Sequence, residues 1–147
     1  MGEVSCDEPN FIATYFRSPQ DDEQNLVIHR NDHGIIFLNR YPYANGHLLV
    51  ALGDANPTLL AYDSNQRKQL WNLVETGVSL MHEKLRPQGL NIGMNEGEAS
   101  GAGIPQHVHV HIVPRWSGDT NFMSTTGEVR IIPCSLEQMF EVYSSQK

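Results

Sequence analysis

The sequence predicts an α+β fold, an antiparallel sheet of about five strands with helices packed against one face. Two observations lead there. Short β-rich runs recur at hairpin spacing, in "NLVIHRNDHGIIFLNR", "GHLLVAL", "LNIGMN" and "HVHVHIV". A single long helical stripe stands among them, followed by one short C-terminal helix. At 147 residues the chain fits one domain with a genuine core. The expected division is an N-terminal segment 1–24, a core 25–123 and a C-terminal extension 124–147.

The first two strands are read at Leu26–Arg30 and Gly34–Arg40. Asn31, Asp32 and Gly34 between them tolerate the positive φ of tight turns, so the pair reads as a hairpin. Pro42 and Gly46 punctuate the turn "YPYANG" before a third strand, Gly46–Leu52. Across Ser64–Arg86, Leu70, Leu73, Val74, Val78, Met81 and Leu85 form one stripe at a 3.6-residue period. Asp63 or Ser64 caps that helix and Pro87 ends it, while Gly77 on the stripe permits close approach to a neighbour. Trp71 is assigned to the core. "LNIGMN" is the fourth strand and "HVHVHIV" the fifth. The capping box Ser135-Leu136-Glu137-Gln138 opens a last helix that runs to about Tyr143.

Composition narrows the function classes. Apolar residues make up 39% and charged residues 18%, as in a water-soluble globular protein. No apolar run approaches the roughly 20 residues needed to cross a bilayer. The start, "MGEVSCDEPNFIATYF", lacks a basic region followed by an apolar stretch, so no secretory signal is read. Cys6 and Cys134 read as unpaired thiols in a reducing cytoplasm. A net charge of −7 argues against a general nucleic-acid or anionic-membrane binder. A small anionic ligand remains compatible if backbone N–H groups, histidines and one or two arginines hold it locally.

The run "QHVHVHIVPRW" sets three histidines at alternate positions. Successive strand side chains point to opposite faces, so His107, His109 and His111 share one face. Val108, Val110 and Ile112 share the other and suit the underside of the long helix. The histidine face then looks away from that core, onto an open side of the sheet. Three readings follow. The array is a polar outer face, a metal site, or a reacting centre with one imidazole as nucleophile. Same-face neighbours lie about 6.6 Å apart and the outer pair about 13 Å, so three histidines on one straight strand converge poorly on one metal. Imidazole titrates near 6.5, so at neutral pH it is nucleophilic and still able to carry a proton. A linear array suits a linear substrate such as a phosphate chain. Gly97, Gly101 and Gly103 in the preceding "NEGEASGAGIPQ" suit backbone N–H groups converging on an anion.

The run His107-Val-His-Val-His111-Ile-Val resembles the motif of the histidine-triad (HIT) nucleotide hydrolases and transferases. "LNRYPYANGHLLV" and "MNEG" resemble that family's upstream blocks, and "GAGIPQHVHVHIVPRWSGDTNFM" its bacterial branch related to diadenosine tetraphosphate phosphorylases. The resemblance implies an antiparallel sheet with a long helix, extended to about ten strands across a homodimer. It implies a nucleotide substrate, a dinucleoside polyphosphate in this branch, and a covalent nucleotidyl intermediate on His109. It places His107 and His111 on phosphate oxygens and the leaving group, and His47 beside the triad. It puts Asn39 at the ribose and Asn95 near the phosphate. Gly101, Gly103, Gln106, Arg115 and Trp116 are the further candidate substrate contacts, Arg115 being alternatively a surface arginine and Trp116 a dimer contact. No cofactor or metal site is implied, although magnesium could arrive on the substrate's phosphates.

Two departures stand out. The loop reads Gly-Ala-Gly-Ile-Pro-Gln where many members carry a Gln and a Ser or Thr against phosphate. Only Cys6 stands where bacterial members often carry a Cys-x-x-Cys zinc pair, so no such zinc is expected. A phosphoramidate hydrolase of the same family, a non-catalytic nucleotide-binding module and a metal-dependent hydrolase stay open as alternatives. His29, His33 and His82 are read as structural or solvent-exposed.

Overall fold

A computed structural model of the chain describes residues 10–119 and 134–146. Cys6 and the segment from Thr120 through Phe122 and Met123 to Pro133 lie outside the described residues. The strands are β1 (Val27–Arg30), β2 (Gly34–Leu38), β3 (Leu48–Leu52), β4 (Gly89–Met94) and β5 (Val110–Arg115). They form one five-stranded antiparallel sheet in the order β1-β2-β3-β5-β4. The helices are α1 (Phe11–Arg17), α2 (Ser64–Leu85) and α3 (Leu136–Ser144). Among the described residues no helix is long and apolar enough to cross a membrane.

The hairpin, the long helix and the last helix stand where periodicity puts them. The Asn31 side chain accepts from His33 N and Gly34 N, at 2.8 and 3.0 Å, and closes the β1–β2 turn. Asp63 caps α2 through a reciprocal box with Gln66, and Ser135 caps α3 the same way with Gln138. The stripe of α2 faces the sheet, where Leu70, Leu73, Val74 and Met81 pack on Ile36, Val50, Val108, Val110 and Ile112. A Cβ on Gly77 would stand 2.7 Å from Ile112 Cδ1, so glycine lets α2 settle directly on β5. α3 adds Met139 and Tyr143 to this core, and the buried Tyr143 hydroxyl donates to the Gly46 carbonyl at 2.7 Å.

Three expectations are corrected. Trp71 is 54% exposed, not core. One residue along a helix is a rotation of about 100°, so a residue following Leu70 of the stripe turns outward. Helices cover both faces of the sheet rather than one. α1, which was not anticipated, places Ile12 against Val27, Ile35, Phe37, Leu49 and Ala51 on the face opposite α2. The histidine face is consequently not open along its length, because His107 is fully buried and His109 is 5% exposed. α1 and its partners cover β1–β3, and the uncovered part of that face lies over β5 and β4.

Candidate active site

His111 is the second residue of β5, whereas His107 and His109 precede the strand but keep its alternation. Leu49 and Gly93 are the cross-strand partners of His111 on either side. Residue 93 has no side chain, so His111 borders empty space. That space is a cleft of about 800 Å³. It is lined by Asn91, Gly93, His111 and Val113, together with Tyr43, Asn95 and Trp116.

The hydrogen bonds assign each imidazole its tautomer. His109 Nδ1 lies 2.9 Å from the carbonyl of His107. A carbonyl only accepts, so Nδ1 carries the proton and Nε2 keeps its lone pair. Among the described residues every fully buried side-chain nitrogen and oxygen is hydrogen-bonded. Nε2 of His109 makes no such bond, so it is not sealed in the core. His107 Nε2 donates to the Leu52 carbonyl at 2.7 Å, and its Nδ1 accepts from the Asn10 amide at 2.8 Å. Both of its ring nitrogens are therefore engaged inside the fold. This geometry leaves neither for a phosphate oxygen, contrary to the role the resemblance implies for that ring.

His47 links the upstream block to the triad. Its Nδ1 accepts from Tyr43 N at 3.1 Å, so Nε2 bears the proton and donates to His111 Nδ1 at 2.9 Å. The N–H of His111 is then on Nε2. The ring centroids of His47 and of His109 each lie 5.1 Å from that of His111. The Tyr43 ring lies parallel to His111, with centroids 6.0 Å apart and 7° between planes. Burial pushes all four imidazoles below the usual histidine range. His47 falls to about 3, and His111 to about 4, each further depressed by the neighbouring histidines. The site is thus a set of neutral imidazoles at neutral pH, with a lone pair on His109 and an N–H on His111 side by side. Such a pair suits nucleophilic attack on an electrophile whose departing oxygen takes a hydrogen bond.

The other candidates divide. Asn39 accepts from Tyr41 N at 2.9 Å, and its amide nitrogen lies 3.5 Å from both ring nitrogens of His47. Asn95 and Trp116 line the cleft. Gly101 ends a short 3-10 turn at φ 87°, a left-handed conformation that glycine adopts without strain. Gly103 and Gln106 are exposed in the loop beyond it. Arg115 grips Asp119 with two hydrogen bonds of 2.8 and 2.9 Å and donates to Asn91 at 2.8 Å. It braces the turn that presents Trp116, whose backbone N–H also donates to Asp119 at 3.1 Å. Among the described residues no group of three or more His, Cys, Asp or Glu is arranged to hold a metal ion.

Four contributors escaped sequence reasoning: Asn10, Tyr43, Asn91 and Gly93. Only Asn91 and Gly93 left a signal, since they alternate with Asn95 along one face of "LNIGMN".

The HIT domain family model matches residues 20–118. The chain is 35% identical over 131 residues to a protein of Mycobacterium tuberculosis named AP-4-A phosphorylase, covering 86% of this chain and 67% of that one. It is 31% identical over 93 residues to a Schizosaccharomyces pombe protein named bis(5'-nucleosyl)-tetraphosphatase (asymmetrical), covering 63% and 50%. The fold matches that of a HIT-like protein from Bartonella henselae with a TM-score of 0.74, 22% identity and coverage of 94% and 96%. It also matches the Caenorhabditis elegans NitFhit protein, with a TM-score of 0.66, 26% identity and coverage of 82% and 27%. With its triad, sheet and long helix in place, the chain belongs to the histidine-triad (HIT) family.

Proposed function

We propose that the chain is a nucleotidyl hydrolase or transferase that acts on a dinucleoside polyphosphate such as diadenosine tetraphosphate. One observation carries the reading. The carbonyl of His107 holds the proton of His109 on Nδ1, which leaves Nε2 as a neutral nucleophile beside a fixed N–H donor. Nε2 of His109 attacks the α-phosphorus, and a phosphorus–nitrogen bond forms as the bond to the leaving polyphosphate oxygen breaks. The His111 Nε2–H donates a hydrogen bond to the departing oxygen. The positive charge left on the His109 ring is shared with its Nδ1–H, which the His107 carbonyl stabilises. Water or inorganic phosphate then attacks the same phosphorus and releases His109.

The two curated relatives named for tetraphosphate chemistry support this substrate class over a phosphoramidate. The cleft beside His111 offers room for a leaving group larger than an amine, with Trp116 and Tyr43 as flat walls. Base stacking on such a wall contributes about 1–3 kcal/mol in nucleic-acid complexes. Any magnesium enters on the substrate phosphates. The chain works as a homodimer through edge strand β4, whose Ile92 is 42% exposed; light scattering in solution reports that state.

The deciding experiment incubates the protein with diadenosine tetraphosphate, with and without inorganic phosphate, and identifies the products. AMP with ATP indicates water as acceptor; ADP with ATP indicates phosphate. In parallel, kcat/KM is compared with that for an adenosine phosphoramidate. The expected preference is at least about tenfold for the tetraphosphate, about 1.4 kcal/mol of transition-state binding, reduced by Trp116→Ala. Equal efficiencies move the protein to phosphoramidate chemistry. Binding without turnover of either substrate supports a binding module.

A further inference from the structure

The imidazole of His107 is held from both sides, and one holder comes from outside the residues matched to the family. Asn10 precedes α1, whereas the match begins at residue 20. Its side-chain oxygen accepts from Ile12 N at 3.1 Å and Ala13 N at 3.4 Å, capping α1. Those two donors fix which end of the amide is which. Its nitrogen therefore faces His107 Nδ1, 2.8 Å away and 97 residues distant in sequence. Across the ring, Nε2 meets the Leu52 carbonyl at 2.7 Å. One side of the ring faces only a donor and the other only an acceptor. That pattern admits the neutral Nε2–H tautomer and rejects both the Nδ1–H form and the doubly protonated ring.

We propose that Asn10 is a positioning residue for the reaction: it locks His107 in one orientation and tautomer, and thereby aims the carbonyl that holds His109 Nδ1–H. The chain of contacts is short and complete. Asn10 Nδ2 grips the His107 ring, and the His107 carbonyl accepts from His109 at 2.9 Å. Ile12 anchors the clip by inserting, fully buried, into the small core over β1–β3. The N-terminal segment is thus part of the catalytic scaffold, although Asn10 touches no reacting atom. This inference takes its consequence for turnover from the nucleotidyl-transfer reading, whereas the tautomer stands on the fold alone.

Two substitutions separate positioning from helix capping. Asn10→Asp is nearly isosteric and still caps α1, but it turns an acceptor toward His107 Nδ1. Asn10→Ser also caps and removes the amide N–H that reaches His107. Thermal unfolding checks that both stay folded. Imidazole nitrogen NMR on the free protein then reads the His107 tautomer. In the unmodified protein Nδ1 is unprotonated and Nε2 protonated, and in Asn10→Asp a proton moves onto Nδ1. With diadenosine tetraphosphate, kcat falls at least about tenfold in both variants while KM changes less than about threefold. A folded Asn10→Asp whose Nδ1 stays unprotonated overturns the proposal, as does unchanged kcat in the folded variants. If Asn10→Asp fails to fold, Asn10→Ser decides by its kcat. If the unmodified protein turns over no tetraphosphate, the proposed reaction fails. The nitrogen signature then decides on Asn10 by itself.

Discussion

Replacing Gly93 with valine should make the protein more stable and less active at once. Gly93 lies on β4 directly across from His111, on the face that borders the cleft. A Cβ built on it meets no atom within 4 Å, and its φ is not among the positive values. The fold therefore accepts a side chain without strain. Glycine inside a strand costs about 0.5–1 kcal/mol relative to alanine, and β-branched residues sit at the favourable end of a scale about 1 kcal/mol wide. A gain of about 1 kcal/mol follows, or a rise in Tm of about 3–5 °C at this size. The catalytic effect runs the other way. Paired Cβ atoms on one face stand about 4.5–5.5 Å apart, and a valine methyl reaches about 1.5 Å further. It would then occupy the space where an oxygen must sit, about 2.9 Å from His111 Nε2, to take its hydrogen bond. A loss of at least about tenfold in kcat/KM is expected, about 1.4 kcal/mol, with Gly93→Ala intermediate. The assay pairs thermal unfolding with steady-state hydrolysis of diadenosine tetraphosphate. A stabilised Gly93→Val with undiminished kcat/KM would refute the assignment of the cleft to the substrate.

Two further predictions concern protons and metal. Burial lowers His47 and His111 to about 3 and 4, so they stay neutral in the folded state while an unfolded chain protonates them near 6.5. The unfolded state then binds more protons on acidification, and the stability these two histidines confer, complete above about 6.5, is lost as pH falls toward their folded values. Urea unfolding between pH 6.5 and 5 should show a loss approaching about 1.4 kcal/mol per pH unit for each such histidine, and a flat profile would mean that the imidazoles are hydrated. Activity should survive dialysis against a zinc-removing chelator, with or without added magnesium; loss that zinc alone restores would favour a metal-dependent hydrolysis.

Periodicity and caps made most of the scaffold legible. The α2 stripe, the Asn31 turn and the two capping boxes are local signals, and each stands where it was read. α1 was missed because seven residues, "FIATYFR", show too little period to separate a helix from a strand. Without α1, the histidine face was taken as open, and the burial of His107 could not be foreseen. The alternation of the triad was visible, but the inward engagement of the His107 ring was not. Which imidazole faces inward depends on Leu52 and Asn10, partners 55 and 97 residues away that no local pattern announces. Arg115 illustrates the same limit. Its position after the triad made it a candidate substrate contact, whereas Asp119 and Asn91 draw it into a brace. Trp71 was a plain error of phase, since the 3.6 period already turns it away from the stripe.

In the proposed reaction His109 carries the nucleotidyl group. Rapid quenching of the enzyme with diadenosine tetraphosphate, followed by peptide mass spectrometry at neutral to alkaline pH, tests it directly. An adenylyl group should appear on the peptide containing "HVHVHIV", localised to His109 and abolished in His109→Ala, which still binds nucleotide. An adduct on another residue, or full turnover by His109→Ala, would contradict it.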